Sequence, residues 1–498
     1  MTHKFTSFLI LTSCVFLLPT ESNSAGFEVP ELGTRSVARG GAVAARVDDG
    51  TAAVLNPGGL SKIRGLLFQY NHNFLIVNSS FARLNPIEAD NEPKYLDEAK
   101  NTEPFFPLGI FASLAYNLNQ DAGKGANSSV IAFTVNGPNT TGHTKFTDAE
   151  STRYLLDELD TLLIYYGLSY AYGTDTFGVG LTAQYVQVPR LNFAITVDAD
   201  PRKSGRTPSL EPFPFDVNTE LRLEDKGTLS GIIGGWWRPT PAVELAVAAR
   251  PLPIRLRPAG TAAVEVPDEL GQLVEVSETS AALELDLPAH LRLGIRYRKM
   301  EGRHELFDIE FDALFEQWSS LKKYDAKLNG EVTAVSDIAE VLVGEEPLQL
   351  QDVVIEKQWE DTVSLRLGGS YWLEPGAIEL SAGGFWESAA APTAYAHLDF
   401  PADERMGYGL GASWFMSPSG VHADDGLKIG LSIAFSEAFQ KDIEVRKGQG
   451  AVYQQRPLRP CPEFCEVNGE PSPGVAANEG KFKTQWKTVS FGLTVQGF

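Results

Sequence analysis

The chain is short of long hydrophobic runs, of basic residues and of cysteine, and each shortage removes a class of protein. Only one long apolar run, Phe5–Pro19, stands in 498 residues. A helical transporter needs about 20 apolar residues for every span. The 42 Lys and Arg are outnumbered by 64 Asp and Glu, a formal charge of −22, which excludes a protein that lives by gripping phosphate backbones. The seven His are isolated, with no His-Glu-x-x-His and no Gly-x-Ser-x-Gly, so catalysis finds no foothold. No residue set calls for a cofactor. A chain that is 43% hydrophobic and 21% charged is not disordered. What is left is a soluble multidomain protein, a secreted β protein, or a β-barrel, which hides its membrane signal by alternating it.

The apolar run follows His3-Lys4 and precedes Ser22-Asn23-Ser24, which reads as a signal peptide over 1–24. It takes Cys14 with it. The remaining Cys461 and Cys465, in Cys-Pro-Glu-Phe-Cys, are expected to form one local disulfide in an exported chain. No metal site is expected, because two further ligands at suitable spacing do not follow.

Past residue 65, apolar and small or polar residues alternate with period two. Leu162, Ile164, Tyr166, Leu168 and Tyr170 share one face, as do Phe177, Val179, Leu181 and Tyr185. So do Leu291, Leu293, Ile295 and Tyr297, with Arg292, Gly294, Arg296 and Arg298 opposite. Many of these strands reach about ten residues, long enough to cross a bilayer at a tilt. Fourteen such segments can be placed, from 66–78 to 486–498, and the connections between them alternate. Turns such as Gly173-Thr174-Asp175 fall on one side. Loops of about 17 to 50 residues fall on the other, as in outer-membrane barrels with short periplasmic turns and long extracellular loops. The stretch Pro189–Glu220, rich in proline and charge, reads as one of those loops. The expected fold is therefore all-β: a transmembrane antiparallel barrel over 65–498, in the outer membrane of a Gram-negative bacterium, with both termini periplasmic.

Residues 25–64 do not read as a strand. Gly33, Gly40, Gly41, Gly50, Gly58 and Gly59 punctuate short apolar pieces, which suits a compact plug, since a lumen this wide is not filled by wall side chains. Ala25-Gly26-Phe27, Arg39-Gly40-Gly41-Ala42 and Asn56-Pro57-Gly58-Gly59-Leu60 resemble the N-terminal hatch of FadL-type outer-membrane transporters. Leu291-Arg292-Leu293-Gly294, Glu316-Gln317-Trp318-Ser319 and Trp359-Glu360-Asp361 continue the resemblance in colinear order.

What the resemblance implies is outer-membrane transport of long-chain fatty acids or other hydrophobic molecules by diffusion. The 25–64 hatch would rearrange, with Phe27 touching the ligand pocket, and a kink in the third strand would let the ligand leave sideways through the wall. Asn56-Pro57-Gly58 matches the hatch's Asn-Pro-Ala, departing at its third position, where glycine would loosen the backbone. Asn136-Gly137-Pro138 is the match for the kink, since proline within a strand forces a bulge or an edge. The inward arginines Arg292, Arg296 and Arg366 have two readings: receivers of a carboxylate by paired hydrogen bonds, or members of an Arg/acid ladder that braces the lumen. Expected partners are hydrophobic small molecules, outer-membrane lipid and lipopolysaccharide, with no nucleic acid, and the protein is expected to be a monomer. The competing expectation is a structural or adhesive barrel acting through its long loops; an aqueous porin is the third.

Overall fold

The structure is a computed structural model. It describes residues 32–497 apart from 86–93, 120–126, 139–141, 148–149, 201–214, 268–270, 303, 338–339, 342–343, 375, 401, 418–425, 462, 464 and 468–469. Residues 1–24, expected to be a signal peptide, and Phe27 lie outside the described residues.

Fourteen long strands form one closed antiparallel wall. They are β1 (Leu66–Arg83), β2 (Phe105–Asn117), β3 (Ser128–Asn136), β4 (Glu158–Gly173), β5 (Phe177–Asp198), β6 (Asp216–Thr240) and β7 (Val243–Arg250). The circuit continues with β8 (His290–Glu301), β9 (His304–Glu316), β10 (Thr362–Glu374), β11 (Ile378–Glu387), β12 (Arg405–Met416), β13 (Leu427–Gln440) and β14 (Gly480–Gly497). Each pairs with the next. Closure comes from β1 against β14, from Leu66 opposite Gly497 to Arg83 opposite Gly480. Closure leaves no unpaired edge to satisfy in lipid.

The alternation sets the two faces of the wall. Leu168, Leu181, Ile295, Leu367 and Leu410 point outward and are 43–65% exposed, an apolar surface that only lipid explains over so many strands. Ser169, Thr182, Arg296, Arg366 and Glu310 point inward and are buried. Among the described residues no helix is long and apolar enough to cross a membrane; the strands do so.

The end with long loops differs from expectation. Pro189–Asp198 and Asp216–Glu220 are strand, not loop: β5 and β6 run on past the barrel as a hairpin. The physical reason is a pair of matching irregularities. The β4–β5 register slips between Leu162 and Ile164, giving β5 one extra residue beside Pro189. In β6 the compensating irregularity falls near Gly227, whose φ of +136° only glycine adopts comfortably. Each extra residue reverses the faces beyond it. Phe177 to Tyr185 put odd positions outward, whereas Leu191, Phe193, Ile195 and Val197 put odd positions inward. The upper part of β6 then pairs with 259–265, which pairs with 279–282, and 280–283, 323–329 and 353–356 extend the sheet in turn. The loops thus fold over the barrel mouth around their own apolar core, which holds Trp318 and Trp359 edge to face at 5.1 Å. Cys461 and Cys465 are joined by a disulfide in the last loop.

Inside the barrel lie two short helices, α1 (Thr34–Ala38) and α2 (Ala52–Leu55), and a 3-10 turn over Pro57–Lys62. They touch opposite walls: α1 meets β11 to β14, and the 3-10 turn meets β3 to β6.

Candidate ligand-binding site

Where β4, β5 and β6 leave the barrel, their inward faces enclose a narrow cavity of about 70 Å³. Leu163, Val188, Phe193, Leu221, Leu256 and Ile355 are among its walls, so the reversed β5 and β6 faces supply much of its surface. A smaller apolar cavity of about 40 Å³ shares Val197, Thr219 and Leu328 with it and carries the apolar path outward beneath Pro457 and Leu458. Such a space takes hydrocarbon and disfavours ions, because an unpaired charge there loses its hydration.

One rim of the cavity carries a polar cluster that sequence reading missed. Tyr324 and Asp399 line it. Behind Asp399 the fully buried Lys357 ammonium donates to both carboxylate oxygens at 2.7 Å. His397 Nδ1 lies 2.7 Å from Oδ1, and the Phe400 N–H donates to the same oxygen at 2.7 Å. The Lys357 ammonium also sits over the Tyr324 ring at 4.5 Å. Burial by itself would raise the Asp399 carboxyl, but His397 and Lys357 outweigh it and hold the group well below the usual carboxylate range. Burial lowers the Lys357 ammonium and the His397 ring, against the pull of Asp399. Only the i, i+2 spacing of His397 and Asp399 was visible locally; Lys357 arrives from another loop.

Among the described residues, the third strand stops pairing with β4 beside this cavity. Asn136 is its last residue and pairs with Tyr165, and pairing with β4 resumes only when His143 meets Asp160. Gly137 N–H donates to Ile110 O at 2.9 Å and Thr161 N–H to Gly142 O at 3.0 Å, so the stretch is pinned at both ends. On the other side, β2 carries a bulge at Pro107-Leu108 opposite Phe74. Leu159, Thr161 and Leu163 on β4 line the cavity, and two of them bond to the returning segment.

The remaining residues singled out from the sequence meet in the lumen, away from the cavity walls. Asn56 donates to Ala44 O at 2.8 Å and Gly235 O at 3.1 Å, and accepts from Gly58 N–H. Gly58 does not loosen this turn. A Cβ there would stand 2.7 Å from Gly235 Cα, so glycine lets the 3-10 turn, which opens at Pro57, lie flat on β6. Arg292 donates to Gly41 O at 3.2 Å. Arg366 donates to Gly40 O at 3.1 Å and pairs with Glu387. Arg296 pairs with Asp308 at 2.7 Å and Glu244 at 3.0 Å. In this structure the three arginines hold wall acids and the backbone of the N-terminal segment. A polar cavity of about 600 Å³, lined by Arg46, Lys62, Arg238, Glu244 and Glu305 among others, lies at the short-turn end.

A closed wall of this strand number around a folded N-terminal segment has known counterparts. Residues 15–454 match the profile of the outer membrane protein transport family OMPP1/FadL/TodX. The chain belongs to that family. It is thus an outer-membrane β-barrel transporter of the FadL/TodX family for hydrophobic compounds. A Pseudomonas aeruginosa FadL homologue superposes with a TM-score of 0.65 at 15% identity, covering 95% of this chain and 100% of its own. The toluene transporter TbuX of Ralstonia pickettii gives 0.57 at 14% identity, covering 95% and 100%. The P. putida toluene transporter TodX gives 0.57 at 12%, covering 94% and 99%. At such identities the likeness speaks for the fold. No curated protein matches the chain.

Proposed function

We propose that this FadL/TodX family member takes up hydrophobic molecules, fatty acids or hydrocarbons, by diffusion: captured at the long-loop end, held in the apolar cavity, released sideways through the interrupted third strand. The observation that carries this reading is that cavity and interruption share β4. A ligand against Leu159 and Leu163 needs to move only past 137–142 to reach lipid, with no water-filled lumen to cross. In this reading the long loops face outward, both termini are periplasmic, and residues 25–64 are the hatch, with Phe27 and its neighbours as the part that moves. The polar Arg/acid contacts around the hatch argue against a hydrophobic path straight through it, because bare hydrocarbon gains nothing there.

The adhesive alternative gains less support, since the loops pack as small sheets around a shared apolar core rather than as free-standing arms. The test is uptake of radiolabelled hydrophobic compounds by cells that make the full chain as their sole transporter of this kind. Replacing 137–142 by a continuous strand sequence is expected to reduce uptake to background while the barrel still assembles. Uptake unchanged in that variant would remove the lateral route. Uptake unchanged on deleting the gene would remove transport itself.

A further inference from the structure

The cavity's lining has a sign. Among the described residues its one formally charged side chain is Asp399, and the compensating Lys357 lies behind it with 0% exposure, both carboxylate oxygens already on its ammonium. The other cations near the cavity alternate with its lining residues along their strands and so face away. Four of them also hold an acid: Arg190 with Asp160 at 2.9 Å, Arg222 with Glu220 at 2.5 Å, Arg257 with Asp286 at 2.8 Å and Lys327 with Asp325 at 2.8 Å. A carboxylate entering here would shed its water, find no cation among the described lining residues and meet a carboxylate. The chain's charge of −22 repels it further at long range.

Beyond the cavity floor the chemistry changes without gaining charge. Below Leu163 and Val188 comes one inward layer, Tyr165 and Val186, and below it a row that crosses five strands. Ser113, Thr134, Gly167, Gln184 and Ser230 lie side by side on β2 to β6. The Ser113, Thr134 and Ser230 hydroxyls and both polar atoms of the Gln184 amide are buried without a hydrogen-bond partner among the described residues. Gln184 is 1% exposed and Thr134 0%. One rung away, Asn136 Oδ1 is equally unpartnered, on the last residue before the strand breaks. On the other side Thr182 donates to Ala53 O at 2.6 Å, so the row sits between the cavity and the N-terminal segment. Buried polar groups are rarely left unpaired, and a cluster of them marks a place where something else supplies the bonds.

We propose that the ligand is an uncharged molecule with an apolar body and a hydroxyl or carbonyl end, selected against fatty-acid anions by Asp399 and received at its polar end by the Gln184 amide. An amide both donates and accepts, so it suits either end group. The proposal rests on the uptake reading above and narrows its substrate class.

The experiment measures binding of dodecane, 1-dodecanol and dodecanoate to the purified full chain at pH 8, with barrel assembly of every variant checked by its mobility in cold detergent gels. The wild type is expected to bind dodecanol at least tenfold more tightly than dodecanoate. Gln184→Leu should weaken dodecanol about tenfold and leave dodecane unchanged, a split that a merely structural role would not produce. Asp399→Asn, which frees the Lys357 charge, should improve dodecanoate binding; Lys357→Met/Asp399→Leu, which removes both charges, should still prefer dodecanol. Dodecanoate binding as tightly as dodecanol in the wild type would overturn the charge selection. Equal loss of dodecane and dodecanol in Gln184→Leu would overturn the polar station. No binding of any of the three would overturn the uptake reading as well.

Discussion

Arg39 uses all five of its N–H donors inside the lumen. Nε reaches Ala42 O at 2.9 Å, Nη1 and Nη2 take the two Asp308 oxygens at 2.9 Å each, and the remaining two meet Ser370 at 2.7 Å and Glu310 at 3.3 Å. The planar guanidinium matches the carboxylate as a fork. Arg39→Met would leave Asp308 and Glu310 without that partner in a dry interior, which costs about 3–5 kcal/mol for a broken buried pair. The expected reading is a lower denaturant midpoint in lipid vesicles, with Arg39→Lys recovering only part of it. A loop residue gives a pH signature instead. Burial pushes the Asp157 carboxyl up to about 6, against hydrogen bonds from Thr196 at 2.8 Å and Asn218 at 3.2 Å and the nearby Arg153. Its unfolded value is about 3.9. The folded value is the higher one, so its contribution is present below about pH 4 and lost as pH rises through about 6, at most about 3 kcal/mol. Asp157→Asn should therefore stabilise the loop sheet at pH 7 and leave it unchanged at pH 4, followed by the near-ultraviolet circular dichroism of the Trp318–Trp359 pair. Inward arginines such as Arg296 and Arg366 were legible from alternation alone. Lys357 and Asp399 were not, because two loops bring them together and neither carries a pattern that names the other.

The strands show what alternation can and cannot reveal. Within the bilayer belt, period two and turn length place every strand to within a few residues, since lipid on one side and a polar lumen on the other enforce the pattern. Above the belt that constraint ends. Pro189 and the charges around it look like a loop, yet the same residues carry β5 onward, because proline is tolerated at a bulge and the charges face solvent while Leu191, Phe193, Ile195 and Val197 turn inward. The cavity is thus a product of one extra residue. Deleting Pro189 should restore the β4 register without the slip and turn these four side chains outward, each worth about 1.5–3 kcal/mol when buried. The barrel belt is untouched by the deletion, so the variant is expected to assemble and yet lose hydrophobic-ligand binding by more than tenfold. Retained binding would show that the reversed face is not what holds the ligand.

At the scale of the whole molecule, the N-terminal segment and the wall share one lumen, and their contacts bear on the proposed hatch movement. The N-terminal segment is seated by backbone as much as by side chains. Val43 and Ala44 N–H donate to Asp312 at 2.8 and 2.9 Å, and Ala45 N–H to Glu310 at 2.6 Å. At Gly409 the wall comes so close that an added Cβ would stand 2.0 Å from Val37 O. Moving residues 34–63 as a unit would break these bonds together and strand several buried acids, a cost far beyond what one small apolar ligand returns on binding. The hatch core is therefore expected to stay put during uptake, and any rearrangement to fall on the chain before it. Thr34 Oγ1 and Ser490 Oγ lie 2.8 Å apart, close enough for a disulfide between α1 and β14 in the Thr34→Cys/Ser490→Cys variant. With that bond formed, uptake should remain within about twofold of the wild type, since a lateral route through the third strand never requires α1 to leave β14. Uptake that collapses in the oxidised variant and returns on reduction would mean that the hatch core itself must move, and that the ligand's path runs down the lumen rather than through the wall.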